Sequence, residues 1–205
     1  MTAVAASPVR LPVLADVVPG AKVRDAVLVT GAALLTALLA QVAIPVAGSP
    51  VPITGQTLAV VLTAAALGPA RGVGAQALYL VLGAVGLPFY SDASGGVEVV
   101  AGATGGYLLG FLPAALLIGL AARQGHDRRM TRAVPLFIGG QLVIFAVGVP
   151  WLAAVADLSL AQALEAGFYP FILGGLVKAA IAGLLLPASW RLVATGDRRR
   201  GSGQP

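Results

Sequence analysis

The charged residues of this chain are confined almost entirely to the gaps between six apolar segments, at about 26–44, 53–68, 72–88, 101–122, 133–155 and 168–190. That segmentation limits the fold more than any single motif does. A helix needs about 20 largely apolar residues to cross roughly 30 Å of hydrocarbon. The second and third segments fall short of this, which requires buried loop beside them or a thinned bilayer. With 58% hydrophobic and only 10% charged residues in 205, the chain is too apolar to hide its side chains in a soluble core. Ordinary soluble domains carry about 25% charge. The expected fold class is therefore an all-α integral membrane protein with six transmembrane helices. Turn-forming stretches punctuate it, "GPARG" at 68–72 between the second and third segments and "GLPFYSDASGG" at 86–96 between the third and fourth.

The loops set a direction. Arg10, Lys22, Arg24, Arg71, Arg123, Arg128, Arg129, Arg132, Arg191, Arg198, Arg199 and Arg200 are twelve of the thirteen basic residues, and all lie on alternate gaps. The opposite gaps hold Asp92, Glu98, Asp157 and Glu165 and no Lys or Arg. Basic loops stay on the cytoplasmic side, so both termini are expected there. The expected organisation is a cytoplasmic tail at 1–25, a six-helix membrane domain at 26–192 and a basic cytoplasmic tail at 193–205. Residues 1–12 lack the charged start, long apolar core and small-residue cleavage site of a secretory signal, and read as a retained tail.

Several chemistries are disfavoured. Cysteine is absent, which removes disulfides, thiolate nucleophiles and cysteine metal sites. The single histidine, His126, sits among arginines in "RQGHDRRMTR" and reads as a solvated loop residue rather than a metal ligand. No G-x-x-x-x-G-K-[ST] or H-E-x-x-H pattern occurs, and no carboxylate lies inside an apolar segment to relay protons. The reading is of a non-enzyme without catalytic residues or resident cofactor. Clustering of the basic residues between spans points to membrane topology and lipid rather than nucleic acid.

The thirteenth basic residue, Lys178, interrupts the run "GFYPFILGGLVKAAIAGLLLPASW" at 167–190. A lysine at a helix centre costs about 2.5–3.5 kcal/mol on insertion scales, and its stem is short for snorkelling from mid-membrane. A ligand-facing role is favoured over structural pairing, because no acidic partner stands at the centre of any span. Gly106 and Gly110 are spaced for close helix packing. Gly105 and Gly106, followed by Tyr107, also suit a flat ligand needing amide donors and an aromatic wall. The loop "IPVAGSPVPITGQTL" at 44–58 has three prolines and no charge, as expected of a stiff lid over an outward pocket.

Residues 50–111 carry a P-[IV]-T-x-Q-T-L motif (Pro52 to Leu58), a G-x-x-G-L-P turn (Gly83 to Pro88) and a G-x-T-G-G-Y-L-x-G-F stretch (Gly102 to Phe111). With the span layout and the lysine of the last span, the chain closely resembles the BioY family over about residues 22–192. These are the biotin-specific substrate-capture (S) components of energy-coupling factor (ECF) vitamin transporters. The resemblance implies a bacterial plasma-membrane protein with an outward-facing biotin pocket closed by the loop between the first two helices. It also implies partners: a transmembrane coupling protein and two ATPase subunits that hydrolyse the ATP.

Candidate ligand contacts are then Lys178, Asp92, Tyr107, Gly105, Gly106, Gln56, Tyr79 and Gly175. Ala33 and Ala37, four apart in "GAALLTALLAQ", are the candidate docking residues for the coupling protein, although ordinary alanines in an alanine-rich chain look the same. One departure stands out. The family's last span reads G-D-x-x-K, whereas here glycine stands at position 175 before Lys178. Asp92 or the carbonyls of Gly174 and Gly175 are expected to supply the missing acceptor. Lys178 suits either the carboxylate or the ureido carbonyl of biotin. Specificity for another small vitamin, and a non-transporting membrane scaffold, are the alternative functions.

Overall fold

The computed structural model describes residues 13–18 and 22–201, with backbone alone for 194 and 196–201. Arg10 with the rest of residues 1–12, and the side chains of Arg198, Arg199 and Arg200, lie outside the described residues. A 3-10 turn at Leu14–Val17 precedes α1 (Lys22–Ala40). Strands β1 (Ala43–Ile44) and β2 (Ile53–Thr54) follow, then α2 (Gln56–Leu67) and α3 (Pro69–Ala84). A second 3-10 turn at Ser91–Ala93 leads into the short α4 (Val97–Ala101) and α5 (Gly105–Arg123). The chain continues through α6 (Met130–Val155), α7 (Leu160–Gly167) and α8 (Phe171–Gly201).

Among the described residues four helices are long and apolar enough to cross a membrane: α1, α5, α6 and the Phe171–Val193 part of α8. At 12 and 16 residues, α2 and α3 are as short as the sequence leads one to expect.

Three boundaries differ from the sequence reading. The "GPARG" stretch does not form an interhelical loop. The break narrows to Gly68, whose φ of +80° suits a residue without Cβ, and Pro69 already opens α3. Proline fits the first helical turn because its missing N–H would have no partner there. Second, the 44–58 loop contains an antiparallel ribbon pairing Ala43 with Thr54 and Ile44 with Ile53. Third, α7 folds within the gap between α6 and α8, where Ser159 Oγ accepts from the Gln162 amide at 3.3 Å and the Gln162 side chain accepts from the Ser159 amide. This is a capping box.

Helix α5 packs between α2, α3 and α6. Its glycines permit this: a Cβ on Gly110 would stand 3.0 Å from Ile144 Cα, and one on Gly119 would stand 2.5 Å from Pro69 N. Two buried clusters fill the bundle. Alanines dominate one, among them Ala64, Ala65, Ala75, Ala115, Ala122 and Ala179. Aromatic residues dominate the other, with Tyr79, Tyr90, Tyr107, Phe111 and Phe171. At the alanine end, Arg71 binds Asp16 (2.5 Å) and Asp25 (3.2 Å), and Arg24 binds Asp25 (2.7 Å). The carboxylates are about 40% exposed, so these pairs pin register more than they add stability.

Candidate functional site

Lys178 starts the site. Helix α8 begins at Phe171, so the lysine lies seven residues in, roughly 10 Å along the axis. Its Nζ donates to Thr54 O at 2.6 Å and to Thr57 Oγ1 at 2.9 Å. Thr54 ends β2 and Thr57 lies in the first turn of α2, so the lysine ties α8 to the point where the ribbon becomes a helix. Among the described residues no carboxylate pairs with it. An ammonium beside a helix N-terminus, both positive, attracts an anionic or strongly accepting group.

A cavity partly open to solvent lies beside this ammonium. Tyr90, Tyr107, Phe111 and Phe171 give it aromatic walls, and Gln56, Gln141 and Ser91 bring polar atoms. The Tyr107 ring stacks on Phe171 with centroids 6.5 Å apart, and its hydroxyl donates to Gly167 O at 2.9 Å. Gln56 is held at both ends, its amide donating to Tyr79 Oη at 2.5 Å and its carbonyl accepting from Thr54 Oγ1 at 2.7 Å. Tyr79 is wholly buried behind it, so it positions Gln56 rather than lining the cavity.

Other candidates fall elsewhere. Gly105 and Gly106 do not line the cavity. A Cβ on Gly105 would meet Val100 and one on Gly106 would meet Trp151, so both glycines are closely packed against neighbouring elements. Asp92 is exposed in a left-handed conformation (φ 58°) and does not line the cavity, whereas Tyr90 and Ser91 beside it do. The Gly175 carbonyl is already occupied, accepting from Gln141 Nε2 at 2.7 Å. Ala33 and Ala37 are 0% and 8% exposed within the aromatic cluster, so neither presents a surface to a partner. The outward side of α1 carries Val27, Gly31, Leu34 and Leu38 instead.

Residues that sequence reasoning missed are Thr54, Thr57, Tyr90 and Gln141. Thr54 and Thr57 flank Gln56 inside a motif already recognised. Gln141 is a lone amide in an apolar helix and gives a weak signal until α6 and α8 are brought together.

A helical membrane body with a lysine-lit, aromatic-walled cavity defines a membrane-embedded binding protein for small molecules. The same fold occurs in the crystal structure of the S-component for biotin from an ECF-type ABC transporter, at a TM-score of 0.76 and 24% identity over 82% of this chain and 92% of that one. The BioY family model matches residues 10–195, and the chain belongs to that family. It is 38% identical over 157 residues to the biotin transporter BioY of Thermotoga maritima, covering 75% of this chain and 90% of the relative. It is also 36% identical over 170 residues to the biotin transporter BioY of Rhizobium etli, covering 79% and 90%.

Proposed function

We propose that this protein captures biotin from the outer face of a bacterial plasma membrane and delivers it inward as the substrate-binding subunit of an ECF transporter. The observation that carries the reading is Lys178, an ammonium without a carboxylate partner, set against an aromatic-walled cavity in a BioY chain. In this reading the biotin carboxylate binds at Lys178 and the start of α2, and the fused rings lie against Tyr107 and Phe171. Titration calorimetry of detergent-purified protein against a panel of vitamins tests it. Biotin alone should bind tightly, and tight binding of a different vitamin with none of biotin would refute the assignment.

Residues 26–192 form the membrane domain in this reading and cross six times, with the tails at 1–25 and 193–205 in the cytoplasm. The shorter α2 and α3 cross with the help of their flanking turns. A transmembrane coupling protein and two ATPase subunits supply the energy. The coupling protein packs on the outward side of α1, where the position of a Gly31 Cβ has nothing within 4 Å. Gly31→Trp should abolish co-purification with the coupling protein and leave biotin binding intact. Unchanged co-purification would remove α1 as the docking element.

A further inference from the structure

The lone amide of α6, Gln141, is 5% exposed, yet it lines the cavity that Lys178 also lines. One end of its carboxamide is fixed. A backbone carbonyl only accepts, so the atom 2.7 Å from Gly175 O is the amide nitrogen, which leaves Oε1 as the other end. Among the described residues no hydrogen bond reaches that oxygen. That oxygen is not among the buried atoms that lack a partner, so it keeps contact with open space, where a ligand N–H can reach it.

Position 175 makes room for this arrangement. A Cβ there would stand 2.5 Å from Gln141 Oε1, so any side chain would push the carboxamide away. Glycine and glutamine therefore act as a pair, in which α8 gives up a side chain and α6 fills the space with a fixed acceptor. We infer that Gln141 determines specificity: its Oε1 accepts a hydrogen bond from an N–H of the bound ligand, and Gly175 sets the position of that oxygen. An acceptor oxygen repels a carboxylate and attracts an amide-type N–H. With Lys178 supplying the opposite preference, the two residues orient a ligand that has an anionic or carbonyl oxygen at one end and a urea or amide N–H at the other. This rests on the biotin reading above, in which the N–H belongs to the ureido ring.

The test is equilibrium binding of biotin, and of biotin methylated at both ureido nitrogens, to detergent-purified full-length protein, with a melting temperature recorded for each variant. Gln141→Leu should bind biotin about tenfold more weakly than the unaltered protein, as expected for one lost hydrogen bond. The two proteins should bind the methylated compound equally. Gly175→Ala keeps Gln141 but displaces its oxygen, and should weaken biotin binding in the same direction. This variant decides the matter if Gln141→Leu does not fold. Unchanged biotin affinity in either folded variant overturns the role of Gln141 while leaving the biotin reading intact. Failure of the unaltered protein to bind biotin overturns that reading, and this inference with it.

Discussion

At the scale of single residues, two buried or half-buried charges behave in opposite ways. Among the described residues Lys178 meets the neutral oxygens Thr54 O and Thr57 Oγ1, and no carboxylate offsets its charge. Lys178→Met should lower biotin affinity by about 1.5–3 kcal/mol, roughly 10- to 100-fold, with little change in the melting temperature of the unliganded protein. A clear fall in melting temperature at unchanged affinity would make the lysine a structural tie. Asp92→Ala, at an exposed position outside the cavity, should leave affinity as it was. Asp127, by contrast, is fully buried in the turn between α5 and α6. Its Oδ2 accepts from Trp190 Nε1 at 2.7 Å, and its Oδ1 has no hydrogen-bond partner. Burial raises its carboxyl above the usual value, outweighing the Trp190 hydrogen bond and the nearby positive charges of Arg128 and His126. The folded state then holds the proton to higher pH than the unfolded chain does. This carboxyl's contribution to stability therefore falls as pH rises from near 3.8 through the raised value, and is level beyond it. Asp127→Asn should flatten that part of the melting-temperature profile. An unaltered slope would place the titrating group elsewhere.

At the scale of elements, the apolar runs between charged gaps mark every long helix, but local chemistry sets the ends. Pro69 carries the signal of a helix start, but Gly, Pro and Gly together look like a turn and mask it. The Ser159–Gln162 capping box is equally visible but too short to stand out in the gap between α6 and α8. The ribbon was not legible, since two paired residues on each side leave no alternation to detect. The contact between α5 and the start of α3 tests the close-packing argument. Gly119→Ala places a methyl 2.5 Å from the backbone nitrogen of Pro69, which cannot swing aside as a side chain would. The detergent melting temperature should fall, with a loss of about 1–3 kcal/mol typical of overpacking. A stable variant would mean that α5 and α3 slide apart easily.

At the scale of the whole molecule, the lysine, the glutamine at 56 and the tyrosine at 107 were found in the sequence because charge or motif marked them. Gln141 was not, because its meaning depends on a glycine thirty-four residues away. The alternation of loop charge predicts that the end carrying Arg71 and Arg123 faces the cytoplasm. The chain has no cysteine, so single cysteines at Ser94 and Gln124 report topology without background. An impermeant reagent on intact cells should label the first and spare the second, and the reverse pattern would invert the protein in the membrane.

The uneven filling of the bundle has a consequence for traffic. Near Lys178 the interior is hollow, while toward Arg71 alanines let α2, α3 and α5 approach one another closely, with Val61, Leu67 and Ile118 filling the space between. Such a body is a cup and not a pipe. Among the described residues, a molecule that enters beside the ribbon meets the packed cluster of Ala64, Ala75 and Ala115 beneath it. For a molecule held beside Lys178 in this conformation, the mouth is the open side and the packed end is the closed one.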